Sequence, residues 1–359
     1  MKELDQDRPP AQEQRSPAGP DGTADEKADE KEKKKERRKK FFSRLAKVIT
    51  GFVVVSLTAT EAMMFILFGR SEPVMDKPFG LAERAAAGGL RVRTLEFMSG
   101  ANRLKGYVIL PEAPRALMLA VHGVRASSDA LEPVIEYFVR QSYAVMTFDG
   151  TASGRSEGSR TVGLQQQRYD VQAALAWIRQ DPQLNGMPLV LLGHSAGAYG
   201  VAAETPASGA VASVCVSGFD SPLGTMHYWA EHYAGALTNV EYPFLWIREH
   251  AAKGGDANVS ASRMLTSCGV PALVVHGSAD EVIATQISLY QALQEHPGAN
   301  VSTLFITDPR HRGHSDILVA DSGLNTALLD RISAFLSPYV PGGRAYLTGE
   351  RRLDAPHGF

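Results

Sequence analysis

The chain has 359 residues, 44% of them apolar and 21% charged, with a formal net charge of −2. That is length enough for one large globular domain or two small ones, and the near-neutral balance gives no global basis for binding nucleic acid. Charge is uneven, however: through Lys47 there are fourteen basic and eleven acidic residues, and the remainder carries 23 and 28.

Residues 1–47 read as a charged tail. The first forty have almost no large apolar side chains and are rich in Pro, Gln, Asp, Glu and Lys, so burial cannot offset the entropy of ordering them. Disorder is expected there. Pairs such as Glu36 and Lys40 at i, i+4 spacing could support a transient exposed helix.

After the basic run at 33–40 comes an apolar segment, residues 48–68, long enough as a helix to cross about 30 Å of hydrocarbon. Its eleven Val, Ile, Leu and Phe residues outweigh the cost of Glu61, which must be protonated, partnered or shifted toward an interface. The basic flank expects residues 1–47 in the cytoplasm and everything after the single span on the far side. A cleaved signal peptide is the alternative, with small residues near Ala59 and Ala62, but the apolar run continues past them. Residues 69–90 read as a linker.

From Arg91 onward, strand and helix patterns alternate. Residues 91–98 and 103–110 form an expected hairpin across a Ser-Gly-Ala-Asn turn. Residues 116–123 are a continuous apolar run, as for a strand covered on both faces. A helix at 131–141, a strand at 143–150 and an amphipathic helix at 164–181 follow. Next come strands at 210–218, 271–277 and 300–307, with helices near 284–295 and 324–336. The alternation predicts an α/β fold with a mostly parallel, doubly wound sheet. Residues 340–359 read as a C-terminal tail.

The stretch at 188–197 reads PLVLLGHSAG, an apolar strand ending in G-x-S-x-G and followed by small residues of helical pattern. A serine there stands on a sharp strand-to-helix turn, where neighbouring side chains would clash unless both flanking positions are glycine. The N–H of Ala196 then opens the helix and is free to donate to a developing oxyanion. Ser195 is the candidate nucleophile, and a serine hydroxyl needs a base within reach and a carboxylate to hold that base.

Together with His122-Gly123-Val124, the DGTASGRSEG loop from Asp149, the HGSADEVI loop from His276 and Gly313-His314-Ser315, this motif carries a resemblance. From about Arg91 to Tyr339 the chain resembles an α/β-hydrolase of the esterase, lipase and serine-aminopeptidase-like branch. The resemblance implies a domain over 91–339 with His314 as base and Asp280 as acid, and with Asp220 as a rival acid. It implies a backbone oxyanion hole at Val124 and Ala196. His122 reads as a packed structural histidine, Asp149 as a shaper of the wall, and His311 as an exposed loop residue. No cofactor or metal is called for. The insertion at about 219–265, dense in Trp, Tyr and Phe, is expected to be a helical cap binding an apolar acyl chain. Cys215 and Cys268 establish neither a disulfide framework nor a compartment.

The expected activity is hydrolysis of a small-molecule acyl ester or lipid-like substrate through an acyl-enzyme, on a protein tied to the membrane by residues 48–68. Peptidase, amidase or acyltransferase chemistry would use the same residues. A catalytically silent scaffold is the reading of another class. Protein partners are not legible in the sequence.

Overall fold

The computed structural model describes residues 24–342. The disorder expected over 1–23 and the tail expected over 343–359 lie outside the described residues. The chain divides into two compact units, residues 1–55 and 56–359.

The first unit is described by the front of a helix, α1 (Ala24–Phe68). The expected disorder gives way to helix from Ala24 onward, with ion pairs Lys33–Asp29 at 2.5 Å and Lys40–Glu36 at 3.5 Å along its exposed surface. Such i, i+4 pairs add only a few tenths of a kcal/mol each, about 0.2–0.5.

In the second unit, α1 continues from Ser56 with Ser56, Thr60, Met64 and Phe68 buried at four-residue spacing. That stripe turns one face of the helix to the domain. The segment expected to be a linker contains α2 (Gly80–Ala87), and Phe79, Leu81 and Ala85 are buried in the core beneath it.

The sheet is built from β1 (Arg91–Ser99), β2 (Asn102–Leu110), β3 (Ala116–Val121), β4 (Tyr143–Phe148), β5 (Leu189–His194), β6 (Ala212–Val216), β7 (Ala272–Gly277) and β8 (Val301–Ile306). Its order is β1-β2-β4-β3-β5-β6-β7-β8. The two edge pairings at β1 and β2 are antiparallel, and every pairing from β4 to β8 is parallel. Strands β3 to β7 are buried along almost their whole length, as their unbroken apolar runs require.

Leu117, Leu119 and Val121 face one apolar layer, and Ala116, Met118 and Ala120 face the other. The first layer holds α4 (Gln166–Gln180) and α5 (Ala196–Ser208). The second holds α3 (Glu132–Arg140) and α10 (Thr326–Leu336). Between β6 and β7 lie α6 (Pro222–Ala234), α7 (Thr238–Lys253) and α8 (Ala261–Ser267), and α9 (Leu289–Glu295) precedes β8.

Chain direction across the sheet reverses between β3 and β5, since β4 lies to one side of β3 and β5 to the other. Val121 pairs with Gly193, so the loops after both strands emerge level at that switch point, where open α/β sheets open a crevice.

Candidate active site

Ser195 stands between β5 and α5 at φ +58° and ψ −124°, a positive-φ backbone that a serine adopts only under constraint. The two motif glycines are what allow it. A Cβ on Gly193 would lie 2.4 Å from the Gly197 carbonyl oxygen, and one on Gly197 would lie 2.3 Å from that of Val121. The Ser195 N–H donates to the Val216 carbonyl of the neighbouring strand at 2.9 Å, which pins the turn to the sheet.

Three of the side chains selected from sequence meet here. Ser195 Oγ lies 2.8 Å from His314 Nε2, and His314 Nδ1 lies 2.9 Å from each carboxylate oxygen of Asp280. All three residues are buried. With Nδ1–H donating to the carboxylate, Nε2 is left as the acceptor facing the serine hydroxyl. Asp280 Oδ1 also accepts the N–H groups of Val282 (3.1 Å) and Ile283 (2.7 Å). Burial opposes the Asp280 charge, but the His314 hydrogen bond and charge outweigh it and hold the carboxyl below the usual range.

Asp220 is not brought to this cluster. Its carboxylate accepts from Ser260 Oγ at 3.1 Å and from the Ser262 N–H at 2.8 Å, closing the start of α8.

Val124 and Ser195 line one cavity of about 230 Å3, walled by Ala126, Ala130, Leu131, Leu318 and Val319. Ala196 opens α5 beside it, and the N–H groups of Val124 and Ala196 have no backbone acceptor among the described residues. Gly123 is pressed against Ser195: a Cβ there would stand 2.9 Å from the Ser195 Cβ.

None of the described residues lining this cavity comes from the insertion at 219–265. The cap aromatics are engaged elsewhere. Trp229 donates to the Val282 carbonyl at 2.9 Å, His227 and Tyr242 pack ring on ring, and Tyr233 and Trp246 are exposed. The helix α7 is tied to α1 by Ser56–Glu241 and Glu61–Arg248 contacts.

His122 accepts the Gly150 N–H at Nε2 (3.0 Å), a packed residue bracing the loops after β3 and β4. Asp149 accepts from the N–H groups of Ser128 (2.7 Å) and Arg155 (2.8 Å) and pairs with the Arg155 guanidinium, so it shapes the β4 loop. His311 is buried, not exposed as expected. Its Nδ1 lies 2.8 Å from the Asp316 carbonyl, folding the loop that carries His314. Cys215 and Cys268 are both free thiols.

Two further residues hold His314. Glu281 accepts the His314 N–H at 3.1 Å, and His194 donates from Nε2 to the His314 carbonyl at 3.0 Å. Burial and then the nearby His314 charge push His194 down to about 4, so it is neutral at ordinary pH. Their only signal in sequence was adjacency to Asp280 and Ser195, which does not fix where a side chain points.

A family profile described as serine aminopeptidase, S33, matches residues 112–239. The structure is similar to an esterase of Pyrococcus furiosus, with TM-score 0.57 and 18% identity over 76% of this chain and 98% of the other. It is similar to an alpha-beta hydrolase from Vibrio vulnificus, with TM-score 0.55 and 15% identity over 75% of this chain and 89% of the other. The structure has the α/β-hydrolase fold. In sequence the chain is 29% identical over 210 residues to an uncharacterised protein, YfhR, of Salmonella typhi, covering 56% of this chain and 66% of that one. The match therefore spans just under two thirds of the curated relative. The N-terminal helix is long and apolar enough to cross a membrane.

Proposed function

We propose that this α/β-hydrolase cleaves carboxylic esters through an acyl-enzyme on Ser195. The observation that carries the reading is the relay Ser195–His314–Asp280, with its 2.8 Å and 2.9 Å links. Ser195 Oγ attacks the carbonyl carbon while its proton passes to His314 Nε2. The tetrahedral oxyanion is received by the N–H groups of Val124 and Ala196. As the C–O bond breaks, His314 gives the proton to the leaving alcohol. Water then enters, loses a proton to His314 and releases the acid, restoring Ser195. Asp280 stays ionised throughout, fixing the tautomer and offsetting the imidazolium charge.

The cavity size narrows the acyl group. At about 230 Å3 it falls below the roughly 300–1,000 Å3 that hold drug-sized ligands, which favours short acyl chains over a long lipid tail. The family description favours a second reading, aminopeptidase. Binding a free α-ammonium calls for a carboxylate at the subsite, and no Asp or Glu is among the described residues lining this cavity. The ester reading is therefore preferred, with transfer to another alcohol as its variant.

We further infer that α1 ties the protein to a membrane, with the basic flank at 33–40 on the cytoplasmic side. The test of activity uses the full chain, because residues 56–68 pack into the same unit as the sheet. p-Nitrophenyl esters of graded acyl length are assayed beside aminoacyl p-nitroanilides. Fastest turnover on the short esters is expected. A preference for the anilides, or for long-chain esters, would overturn the assignment.

A further inference from the structure

The cap helix α7 buries Leu245 and packs Tyr242 on the core, but it also turns charge inward and apolar side chains outward. Glu241, Arg248, Glu249 and Lys253 all face the protein and are paired there. Glu241 accepts from Ser56 at 3.0 Å, Arg248 bonds Glu61 at 2.7 Å, and Glu249, fully buried, takes Arg248, Lys253 and Gln165. The outward side carries Val240, Pro243, Trp246 and Ile247, all exposed, with Trp246 resting on the His250 ring. A surface helix of a water-soluble domain shows the opposite arrangement, apolar inward and charged outward.

The neighbouring helix continues this face. Leu57, Glu61 and Phe65 lie on one stripe of α1, one turn apart, and Glu61 reaches across to Arg248. Leu57, Phe65 and Ile66 are exposed on either side of that ion pair. The pair supplies the partner that an acidic residue within an apolar segment needs.

Length decides what covers this surface. The apolar residues 48–55 make about 12 Å of helix, against about 30 Å of hydrocarbon. Counted from Phe41, the helix reaches about 22 Å by Val55 and carries Arg44 and Lys47. Any deeper membrane contact must use residues from Ser56 onward, and of those Ser56 and Glu61 bond α7 directly.

We propose that the outward faces of α7 and of the docked stripe at 56–68 form one bilayer-seating surface, with Trp246 at the lipid boundary. It rests on the reading of α1 as a membrane anchor. It extends that reading from a tether to a cap held against lipid, and Trp is the side chain suited to such a boundary.

The full chain is reconstituted into phosphatidylcholine–phosphatidylglycerol vesicles containing dibrominated phosphatidylcholine, and tryptophan emission is recorded. The chain holds three tryptophans. Quenching by the brominated lipid is expected, and Trp246→Phe should lose most of it while keeping the circular dichroism spectrum. As a second measurement, a nitroxide on Ile247→Cys should be more accessible to oxygen than to a water-soluble nickel complex. Failure of the chain to float with the vesicles would overturn the anchor reading itself. Flotation with equal quenching in wild type and Trp246→Phe, or with a nickel-accessible nitroxide, would overturn the seating surface alone. Cross-linking of two copies through Ile247→Cys, without quenching, would assign the face to self-association and overturn the proposal.

Discussion

Replacing Asp280 by Asn is the sharpest probe of the relay, because the structure determines how the amide would sit. Asp280 Oδ1 accepts the N–H groups of Val282 and Ile283, at 3.1 and 2.7 Å. The amide oxygen of Asn must take that place, since an NH2 there would oppose two donors. The NH2 then occupies the Oδ2 position, 2.9 Å from His314 Nδ1. Oδ1 is equally 2.9 Å from Nδ1, but its lone pairs already serve the two N–H groups; with the NH2 donating, Nδ1 becomes an acceptor, the ring proton moves to Nε2, and Nε2 meets Ser195 Oγ as a donor that cannot take its proton. In a serine protease triad the same change costs about 10⁴ in kcat, or about 5 kcal/mol of transition-state free energy. A loss of several orders of magnitude in kcat is expected for Asp280→Asn, with KM little changed and the fold retained by circular dichroism. Asp220→Asn, assayed on the same ester, should lose no more than about tenfold, the scale of a one-to-two kcal/mol positioning defect. An active Asp280→Asn beside a silent Asp220→Asn would refute the assignment of the acid.

Ser195→Ala should lower kcat by about 10⁶ and abolish labelling by a fluorophosphonate; surviving label would place the nucleophile elsewhere. Gly197→Ala drives a Cβ to 2.3 Å from the Val121 carbonyl oxygen, so its stability in urea should fall by at least the upper part of the about 1–3 kcal/mol typical of overpacking. Gly255→Ala, with open space around it, should leave the urea midpoint unchanged, and equal midpoints for the two would contradict the packing argument. His194 has its folded pKa lowered to about 4, below that of the unfolded chain, so its contribution is complete above about pH 6.5 and is lost as pH falls toward 4. His194→Gln, which can keep the bond to the His314 carbonyl, should remove a slope of up to about 1.4 kcal/mol per pH unit across that window. Parallel stability curves for the two proteins would count against it.

What the sequence determined by itself is the local part of this protein. Unbroken apolar runs of strand length mark strands covered on both faces, and their alternation with amphipathic helices implies a parallel sheet. Within Gly193-His194-Ser195-Ala196-Gly197 the first glycine is required locally, since a Cβ there would meet the Gly197 carbonyl, whereas the second is required by Val121 of the neighbouring strand β3. Tertiary structure decided what depends on where distant segments meet. Asp220 and Asp280 both follow apolar strands; the resemblance favoured Asp280, and the arrival of the His314 loop beside β7 puts that carboxylate 2.9 Å from the ring. The cap aromatics had the composition of a pocket lining, yet none of the described residues lining the cavity is one of them, and Trp229 is held instead by the Val282 carbonyl. Glu61 looked like a lone charge in an apolar helix until Arg248, far along the chain, was brought within 2.7 Å. Side-chain direction at such sites is set by packing between elements remote in sequence, and no local pattern encodes it.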